Sequence, residues 1–232
     1  MQAVILAAGR GTRMGALTAE IPKPMIALNG RPILEHILDS LPLEIDEIIF
    51  VVGYLGSVIQ RHFGGLYHGK RLLYLEQDVL NGTAGALWTA KDILHDRFLV
   101  MNGDDICMRE DLQELVSASD WAMLAQEVEE VGSMSKIILK ETGTVQDILE
   151  KEAHTGGSGL ANTANCFVLD TRIFSYPLVH RQNSTTEFGL PQTVVQAAAD
   201  IPIHVIEAHA LIRVTEPADL QKAEEMLREL GI

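Results

Sequence analysis

The sequence predicts an α/β fold, with a mainly parallel sheet covered by helices on both faces. Short apolar runs alternate with helical patterns through the first half of the chain, which is typical of such a sheet. A glycine lies just beyond three of the predicted strands, at Gly9, Gly53 and Gly103. Because ligands bind at the carboxyl ends of parallel strands, these turns mark the expected site.

Four predicted strands and three predicted helices make up this alternation. Each strand is short and apolar, as expected of a strand that is buried on both faces. In chain order the predicted strands cover 3–7, 47–52, 72–76 and 98–101, and the predicted helices cover 33–41, 56–63 and 84–94.

The second half of the chain is less regular and richer in predicted strands. Residues 141–144 read Glu-Thr-Gly-Thr between two of them, which predicts a hairpin. Residues 154–159 are rich in Gly and Ser, which predicts a surface loop that could act as a lid. The predicted strands cover 122–126, 136–140, 145–150 and 163–169, and the predicted helices cover 187–199 and 217–230.

Composition excludes several classes of function. The net charge of −14 argues against nucleic-acid binding, because no basic excess is present to neutralise phosphates. No apolar stretch approaches the roughly 20 residues that a membrane span needs. The two cysteines, Cys107 and Cys166, are too few for a disulfide scaffold. We therefore expect a cytoplasmic protein with no membrane partner, and we leave open a homo-oligomer formed through the second half.

The most specific pattern is the loop after the first strand, LAAGRGTRM at residues 6–14, followed by Pro-Lys-Pro at 22–24. Gly9 and Gly11 let backbone N–H groups approach phosphate oxygens closely. Arg13 and the lysine add full positive charges. The spacing fits neither a P-loop nor the dinucleotide fingerprint, which needs a third glycine further on. Such a combination suits a triphosphate.

A carboxylate motif follows the fourth predicted strand, Met-Asn-Gly-Asp-Asp at 101–105. Mg²⁺ prefers oxygen ligands and often binds phosphate oxygens together with one or two carboxylates. Asp104, just beyond the strand, is therefore the candidate metal ligand. A simple turn cap is the alternative.

A third motif lies between these two. Gly82 and Thr83 are expected to open a helix whose N-terminus faces the site. Gln77 carries a donor and an acceptor on one amide, so it can pair with the edge of uracil or thymine. An exposed polar turn before a helix is the alternative.

Together these motifs resemble the signature of the sugar-1-phosphate nucleotidyltransferases, the family that makes nucleotide-sugars, over most of the chain. The resemblance implies a Rossmann-like, mainly parallel but mixed sheet with helices on both faces, plus a small β-rich sugar-binding lobe. It implies a single domain, 1–232, with a nucleotide-binding half at 1–120 and a sugar-phosphate-binding half at 121–232. The implied nucleotide-binding residues are Leu6, Ala7, Ala8, Gly9, Gly11, Thr12, Arg13, Gln77, Gly82 and Thr83.

The implied reaction is transfer of a nucleotidyl group from a nucleoside triphosphate, UTP or dTTP favoured, to a sugar 1-phosphate, with release of pyrophosphate. Mg²⁺ is the implied cofactor, held by Asp104. A sugar phosphate is already a nucleophile, so neither a covalent intermediate nor a general base is needed. The implied catalytic residues are Arg13, Lys23, Asp104 and Lys151.

The sugar side rests on weaker motifs. Glu150-Lys151 resembles the family's Glu-Lys-Pro, with Glu152 in place of Pro. The stretch 162–165 takes the place of the family's Asn-Ala-Gly, with Thr163 at the Asn and Asn165 at the Gly; Asn tolerates left-handed geometry. The implied substrate-binding residues are Asp105, Glu150, Lys151, Asn165, Glu187 and Arg213.

Two departures from the family pattern keep alternatives open. Arg213 stands where many members carry a second magnesium carboxylate, and a cation there could clamp a phosphate. Asn81 separates Leu80 from Gly82, whereas many members read Pro-Leu-Gly-Thr. The alternatives are a cytidylyl- or guanylyltransferase acting on another phosphorylated small molecule, and a catalytically silent homologue that binds nucleotide-sugars.

Overall fold

The computed structural model of the chain describes residues 1–132, 134–162, 164–182 and 184–232, apart from the side chain of Glu152. The described residues form six α-helices: α1 Ile33–Ser40, α2 Gly56–Phe63, α3 Thr83–Thr89, α4 Arg109–Ser117, α5 Leu190–Ala197 and α6 Asp219–Leu230. They form fifteen strands: β1 Gln2–Ala7, β2 Ala27–Leu28, β3 Arg31–Pro32, β4 Glu47–Val52, β5 Leu66–Tyr67, β6 Lys70–Glu76, β7 Arg97–Asn102, β8 Asp105–Cys107, β9 Trp121–Val128, β10 Ser135–Leu139, β11 Val145–Leu149, β12 Gly159–Asn162, β13 Phe167–Asp170, β14 Ile203–Glu207 and β15 Leu211–Arg213.

Four parallel strands form the centre of the main sheet, in the spatial order β7-β1-β4-β6. Every residue of β1 and β4 is buried, which explains their continuous apolar runs. The register pairs Leu6 with Asn102 and Ala7 with Val52, so the carboxyl ends of the three adjacent strands β7, β1 and β4 meet at one edge. This arrangement confirms the predicted parallel sheet.

The strand order reverses at β1. The chain first builds outward through β4 and β6, and then returns to place β7 on the other side of β1. At such a reversal the loops after two neighbouring strands diverge and leave a crevice. The loop after β1 and the loop after β7 therefore border a crevice at the carboxyl edge.

Antiparallel strands extend the same sheet beyond β7. The spatial order continues β13-β9-β12-β10-β11, and β14 joins β9 in parallel. Strands β10 and β11 form the hairpin predicted around 141–144. The sheet is thus mixed, as expected, and the added strands supply the β-rich part of the second half.

Helices cover both faces of the sheet. One buried cluster contains Ile5 together with residues of α1, α2, α4 and α6. The other contains Val4 and Leu6 together with residues of α3 and α5. Burial of each large aliphatic side chain contributes about 1.5–3 kcal/mol, so both faces of β1 stabilise the fold.

Three predicted elements depart from the structure by three residues or more at one end. The strand predicted at 163–169 is wrong in its first part, because Asn165 has a left-handed φ of 44° and β13 begins only at Phe167. The helix predicted from residue 187 begins at Leu190, because the backbone carbonyl of Phe188 accepts a hydrogen bond from Ala84 N. The helix predicted at 84–94 covers only Thr83–Thr89.

Several elements carried no clear sequence signal. Strand β8 begins at Asp105 and pairs with β15, so the second aspartate of the 101–105 motif lies in a strand and not in a loop. Helix α4 and strand β12 were likewise not predicted. No helix among the described residues is both long and apolar enough to cross a membrane.

Candidate active site

The ends of the central strands are tied together by backbone hydrogen bonds. Gly103 N donates to Leu6 O at 2.9 Å, and Tyr54 N donates to Ala8 O at 3.2 Å. A Cβ on Gly53 would lie 2.9 Å from the backbone oxygen of Ala8, so a glycine is needed where this loop passes the end of β1. The carboxyl edge is therefore a rigid platform for the loops that follow.

The loop after β1 packs against the segment that carries Lys23. Gly11 has a φ of 62°, and a Cβ there would lie 2.9 Å from the Cβ of Lys23. Met14 is buried and donates its N–H to Gly11 O at 2.9 Å, which anchors the turn in the core. Gly9 and Arg13 remain exposed on the outer side of the same turn. The loop thus places Lys23 beside its exposed backbone.

Lys23 contacts Asp104. The Lys23 Nζ and Asp104 Oδ2 atoms form an ion pair between residues 81 positions apart, with side chains 13% and 31% exposed. Lys23 opens a single 3₁₀ turn, closed by Met25 N donating to Pro22 O at 2.8 Å. Two of the predicted catalytic residues are therefore in direct contact.

Asp105 follows Asp104 in the chain and is buried, with 2% of its surface exposed. Asn102 Nδ2 donates to Asp105 Oδ2 at 3.0 Å, and Arg213 Nε lies 3.8 Å from Asp105 Oδ1. Burial raises the pKa of Asp105 to about 7, and the charge of Asp104 adds to the rise, while Arg213 and Asn102 oppose it. Arg213 thus serves as the counter-ion of a buried carboxyl group.

Gln77 follows β6, which is separated from β1 by β4 in the sheet. Its backbone N donates to Val52 O at 2.8 Å, and its side chain is buried at 7% exposure. Gln77 Nε2 donates to Asn81 Oδ1 at 2.9 Å and to Gly82 O at 3.3 Å. Gly82 has a φ of 95° and precedes α3, so the predicted helix opening at 82–83 is confirmed.

The turn before α3 is clamped to the segment before α5. Phe188 N donates to Asn81 O at 2.7 Å, and Leu190 N donates to Thr83 Oγ1 at 2.9 Å. A Cβ on Gly82 would lie 2.4 Å from Phe188 O, so the close approach requires glycine. This clamp joins the two halves of the chain next to Gln77.

The sugar-side candidates Glu150 and Glu187 bond to different neighbours. Glu150 Oε1 accepts a hydrogen bond from Gln192 Nε2 at 2.5 Å, whereas Lys151 is exposed. Glu187 pairs with Arg181 at 3.4 Å. Among the described residues, no hydrogen bond or ion pair joins any of these side chains to the Lys23–Asp104 pair.

Asn165 adopts the left-handed geometry that was expected of it. Its backbone N donates to Asn162 Oδ1 at 3.3 Å, and Asn162 Nδ2 donates to Asn165 Oδ1 at 2.8 Å. The turn between β12 and β13 is therefore stabilised by side chains. Thr163, which was predicted to take the place of the family's Asn, lies outside the described residues.

Three contacts at this site were not foreseen from the sequence. They are the side chain of Asn81 on Gln77, that of Gln192 on Glu150, and that of Asn102 on Asp105. The Asn-Gly dipeptide before α3 was the only local signal, and it indicates a turn without indicating a partner.

Comparison with known proteins identifies the family of this chain. The family model described as nucleotidyl transferase matches residues 2–196. The bifunctional protein GlmU of Methanocaldococcus jannaschii is 36% identical over 75% of this chain and 41% of its own length. The UTP–glucose-1-phosphate uridylyltransferase AglF of Haloferax volcanii is 35% identical over 65% of each chain.

The chain thus spans less than two thirds of either relative. The crystal structure of HddC from Yersinia pseudotuberculosis aligns with a TM-score of 0.74 at 25% identity, over 97% of this chain and 99% of that one. The mixed sheet with helices on both faces is therefore shared with a solved relative along nearly its full length. The chain belongs to the nucleotidyl transferase family, as the resemblance of its opening loop indicated.

Proposed function

We propose that this chain transfers a nucleotidyl group from a nucleoside triphosphate, UTP or dTTP favoured, to a sugar 1-phosphate and releases pyrophosphate. The observation that carries the proposal is the contact between Lys23 and Asp104 at the carboxyl edge, beside the exposed Gly9 turn. Membership of the nucleotidyl transferase family supports it. The 35% identity with AglF, named as a UTP–glucose-1-phosphate uridylyltransferase, supports UTP and a hexose 1-phosphate.

The chemical task is to bring two anions together. An oxygen of the sugar phosphate attacks the α-phosphorus of the triphosphate, and the pyrophosphate leaves in line. The backbone of the Gly9–Gly11 turn and the guanidinium of Arg13 bind the leaving phosphates. Lys23 stabilises the charge that develops at the α-phosphate, and Lys151 binds the incoming phosphate. Positioning and charge cancellation supply the rate enhancement.

The residues at the carboxyl edge fit a magnesium ion. Asp104 presents oxygen donors from a side chain that is 31% exposed. Among the described residues no group of three or more His, Cys, Asp or Glu side chains could cage a metal. This suits Mg²⁺, which keeps several waters and takes ligands from substrate phosphates. Bound at Asp104, the ion would supply neutralisation of phosphate charge.

The sugar-side residues are assigned to the second substrate. Glu150 and Glu187 carry carboxylates suited to sugar hydroxyls, while Asn165 shapes the turn before β13. Asp105 is buried, so its part is to hold Arg213, whose half-exposed guanidinium faces phosphate. On this assignment residues 1–120 bind the nucleotide and residues 121–232 bind the sugar phosphate.

A second candidate is a cytidylyl- or guanylyltransferase acting on another phosphorylated small molecule. The ion pair between Arg213 and Asp105 favours it, because a cation stands where many family members carry a metal-binding carboxylate. Both candidates share the phosphate chemistry and differ in the base and in the second substrate.

Pyrophosphate release tests the proposal. The chain is incubated with Mg²⁺ and each of UTP, dTTP, CTP and GTP, against a panel of sugar 1-phosphates and other phosphorylated alcohols. We expect release with UTP or dTTP and a hexose 1-phosphate. Release with CTP or GTP alone would support the second candidate. Nucleotide binding without release in any combination would contradict both and indicate a silent homologue.

A further inference from the structure

The side chain of Asn81 holds Gln77 in one orientation. Asn81 Oδ1 accepts a hydrogen bond from Gln77 Nε2 at 2.9 Å, and the same nitrogen donates to Gly82 O at 3.3 Å. A backbone carbonyl can only accept a hydrogen bond, so the second contact assigns the amide nitrogen of Gln77 to the protein side. Both N–H groups of this amide are therefore directed at the protein.

Asn81 is itself fixed from three sides. Its backbone N donates to Val79 O at 2.8 Å, and its carbonyl oxygen accepts from Phe188 N at 2.7 Å. A Cβ on Gly85 would lie 1.8 Å from Asn81 Oδ1, so the side chain lies across the first turn of α3 in space that only glycine leaves. The two backbone bonds hold the main chain of Asn81, and the absence of a Cβ at Gly85 leaves the space that its acceptor oxygen occupies.

A locked Gln77 offers a ligand an acceptor and no donor. The free amide of a glutamine can rotate by half a turn and present either group. Here only Oε1 is left for a base. Uracil and thymine carry an N–H at ring position 3, which pairs with this oxygen. Cytosine carries a bare nitrogen acceptor at the same position, so two acceptors would face each other in that pose, and the amino group at its ring position 4 reaches Oε1 only if the base shifts.

We propose that Asn81 is a positioning residue that sets base selectivity: by locking Gln77 as an acceptor, it makes the site favour UTP and dTTP over CTP. This inference rests on the proposed function, because it takes Gln77 as the residue that meets the base. It also separates the two candidate functions, since the residue that departs from the family pattern then argues against cytidylyl transfer.

The test uses three substitutions at position 81 in the full chain. Asn81→Asp keeps an acceptor oxygen for Gln77, whereas Asn81→Ala and Asn81→Leu remove it, and Leu retains the branching at Cγ. The dissociation constants of UTP and CTP are measured with Mg²⁺ by calorimetry, without sugar phosphate. The ratio of kcat/KM for the two nucleotides is measured wherever pyrophosphate is released.

We expect the wild type and Asn81→Asp to favour UTP over CTP by about tenfold or more. Asn81→Ala and Asn81→Leu should lose most of this preference through tighter CTP binding, because only the 3.3 Å contact with Gly82 O then opposes rotation of the Gln77 amide. If Asn81 had only a structural role, its loss would weaken the binding of both nucleotides equally and leave the ratio unchanged.

Two results would overturn the inference while leaving nucleotidyl transfer intact. One is a wild type that favours CTP. The other is an unchanged ratio in a folded variant without the acceptor, with Asn81→Leu deciding if Asn81→Ala does not fold. A wild type that binds neither nucleotide would instead contradict the proposed function itself, so the two failures are distinguishable.

Discussion

The two halves of the molecule hold their candidate residues in different ways. At the carboxyl edge, Lys23 lies on a 3₁₀ turn and contacts Asp104, which follows a glycine bonded to β1. In the second half, Glu150 and Glu187 lie on turns and bond to different neighbours, Gln192 and Arg181. We infer that the sheet fixes the phosphate chemistry, whereas the turns of the second half select the sugar phosphate.

The largest effect is expected when the amine of Lys23 is removed from the carboxyl edge of the sheet. Lys23→Ala should lower kcat by about a hundredfold or more, the scale for loss of one preorganised group that stabilises transition-state charge. Lys222→Ala is the matched control, because Lys222 is an exposed lysine on α6. Steady-state pyrophosphate release gives the rates, and thermal unfolding checks that both variants fold. A folded Lys23→Ala enzyme with an unchanged kcat would remove Lys23 from the reaction.

A substitution at Gly9 separates a ligand effect from a structural one. A Cβ on Gly9 would have no atom within 4 Å, so Gly9→Ala should leave the midpoint of thermal unfolding nearly unchanged. If the exposed turn binds phosphates, the added methyl group blocks their approach. The KM for the nucleotide should then rise by about tenfold, the loss expected for one hydrogen bond to a charged group.

Gly65→Ala is the control for this experiment, since a Cβ there also meets nothing within 4 Å. It should change neither stability nor KM. If Gly9→Ala behaves like Gly65→Ala, the phosphates do not bind at this turn, and the rigid edge loses its assigned role.

The bounds of strands and helices around the carboxyl edge were predicted from the sequence better than those of the second half, and the reason is physical. Strand 47–52 and helix 56–63 have the predicted bounds, because apolar spacing is a local property. The prediction of a strand at 163–169 was wrong in its first part, because Asn165 has a left-handed backbone conformation. The strands on either side of it, β12 and β13, pair with β9 and β7. The arrangement of Asn81 beside Gln77 involves Phe188, which lies far along the chain. The spacing of residues in the sequence cannot predict such a contact.

The next prediction concerns the second half and Gln192, a residue that was not predicted from the sequence. Gln192 Nε2 holds Glu150 Oε1 at 2.5 Å, so it orients the carboxylate assigned to sugar hydroxyls. Gln192→Ala should raise the KM for the sugar phosphate by about fivefold, which corresponds to one hydrogen bond. The KM for the nucleotide should stay the same. Gln221→Ala, at an exposed position of α6, is the control, and a rise in both KM values would contradict a role confined to the sugar side.

The smallest expected effect concerns a contact between the halves that uses none of the candidate site residues. His209, in the turn between β14 and β15, contacts the buried Asp111 of α4, with 2.5 Å between Nδ1 and Oδ1. This hydrogen bond raises the pKa of His209, because the carboxylate favours the charged imidazole.

The stabilisation from a raised histidine pKa is fully present below the ordinary value of about 6.5 and is lost as pH rises through the folded-state value. The wild type should therefore exceed His209→Ala in free energy of unfolding by more at about pH 6 than at about pH 9, as urea denaturation can measure. The bond from His209 N to Asp111 Oδ2, at 3.0 Å, persists in the variant and does not enter the difference. If the difference in free energy of unfolding is the same at both pH values, the imidazole contributes packing and no charge interaction. The halves would then be joined at this point by the backbone bond alone, which makes the clamp between Asn81 and Phe188 the more important link between them.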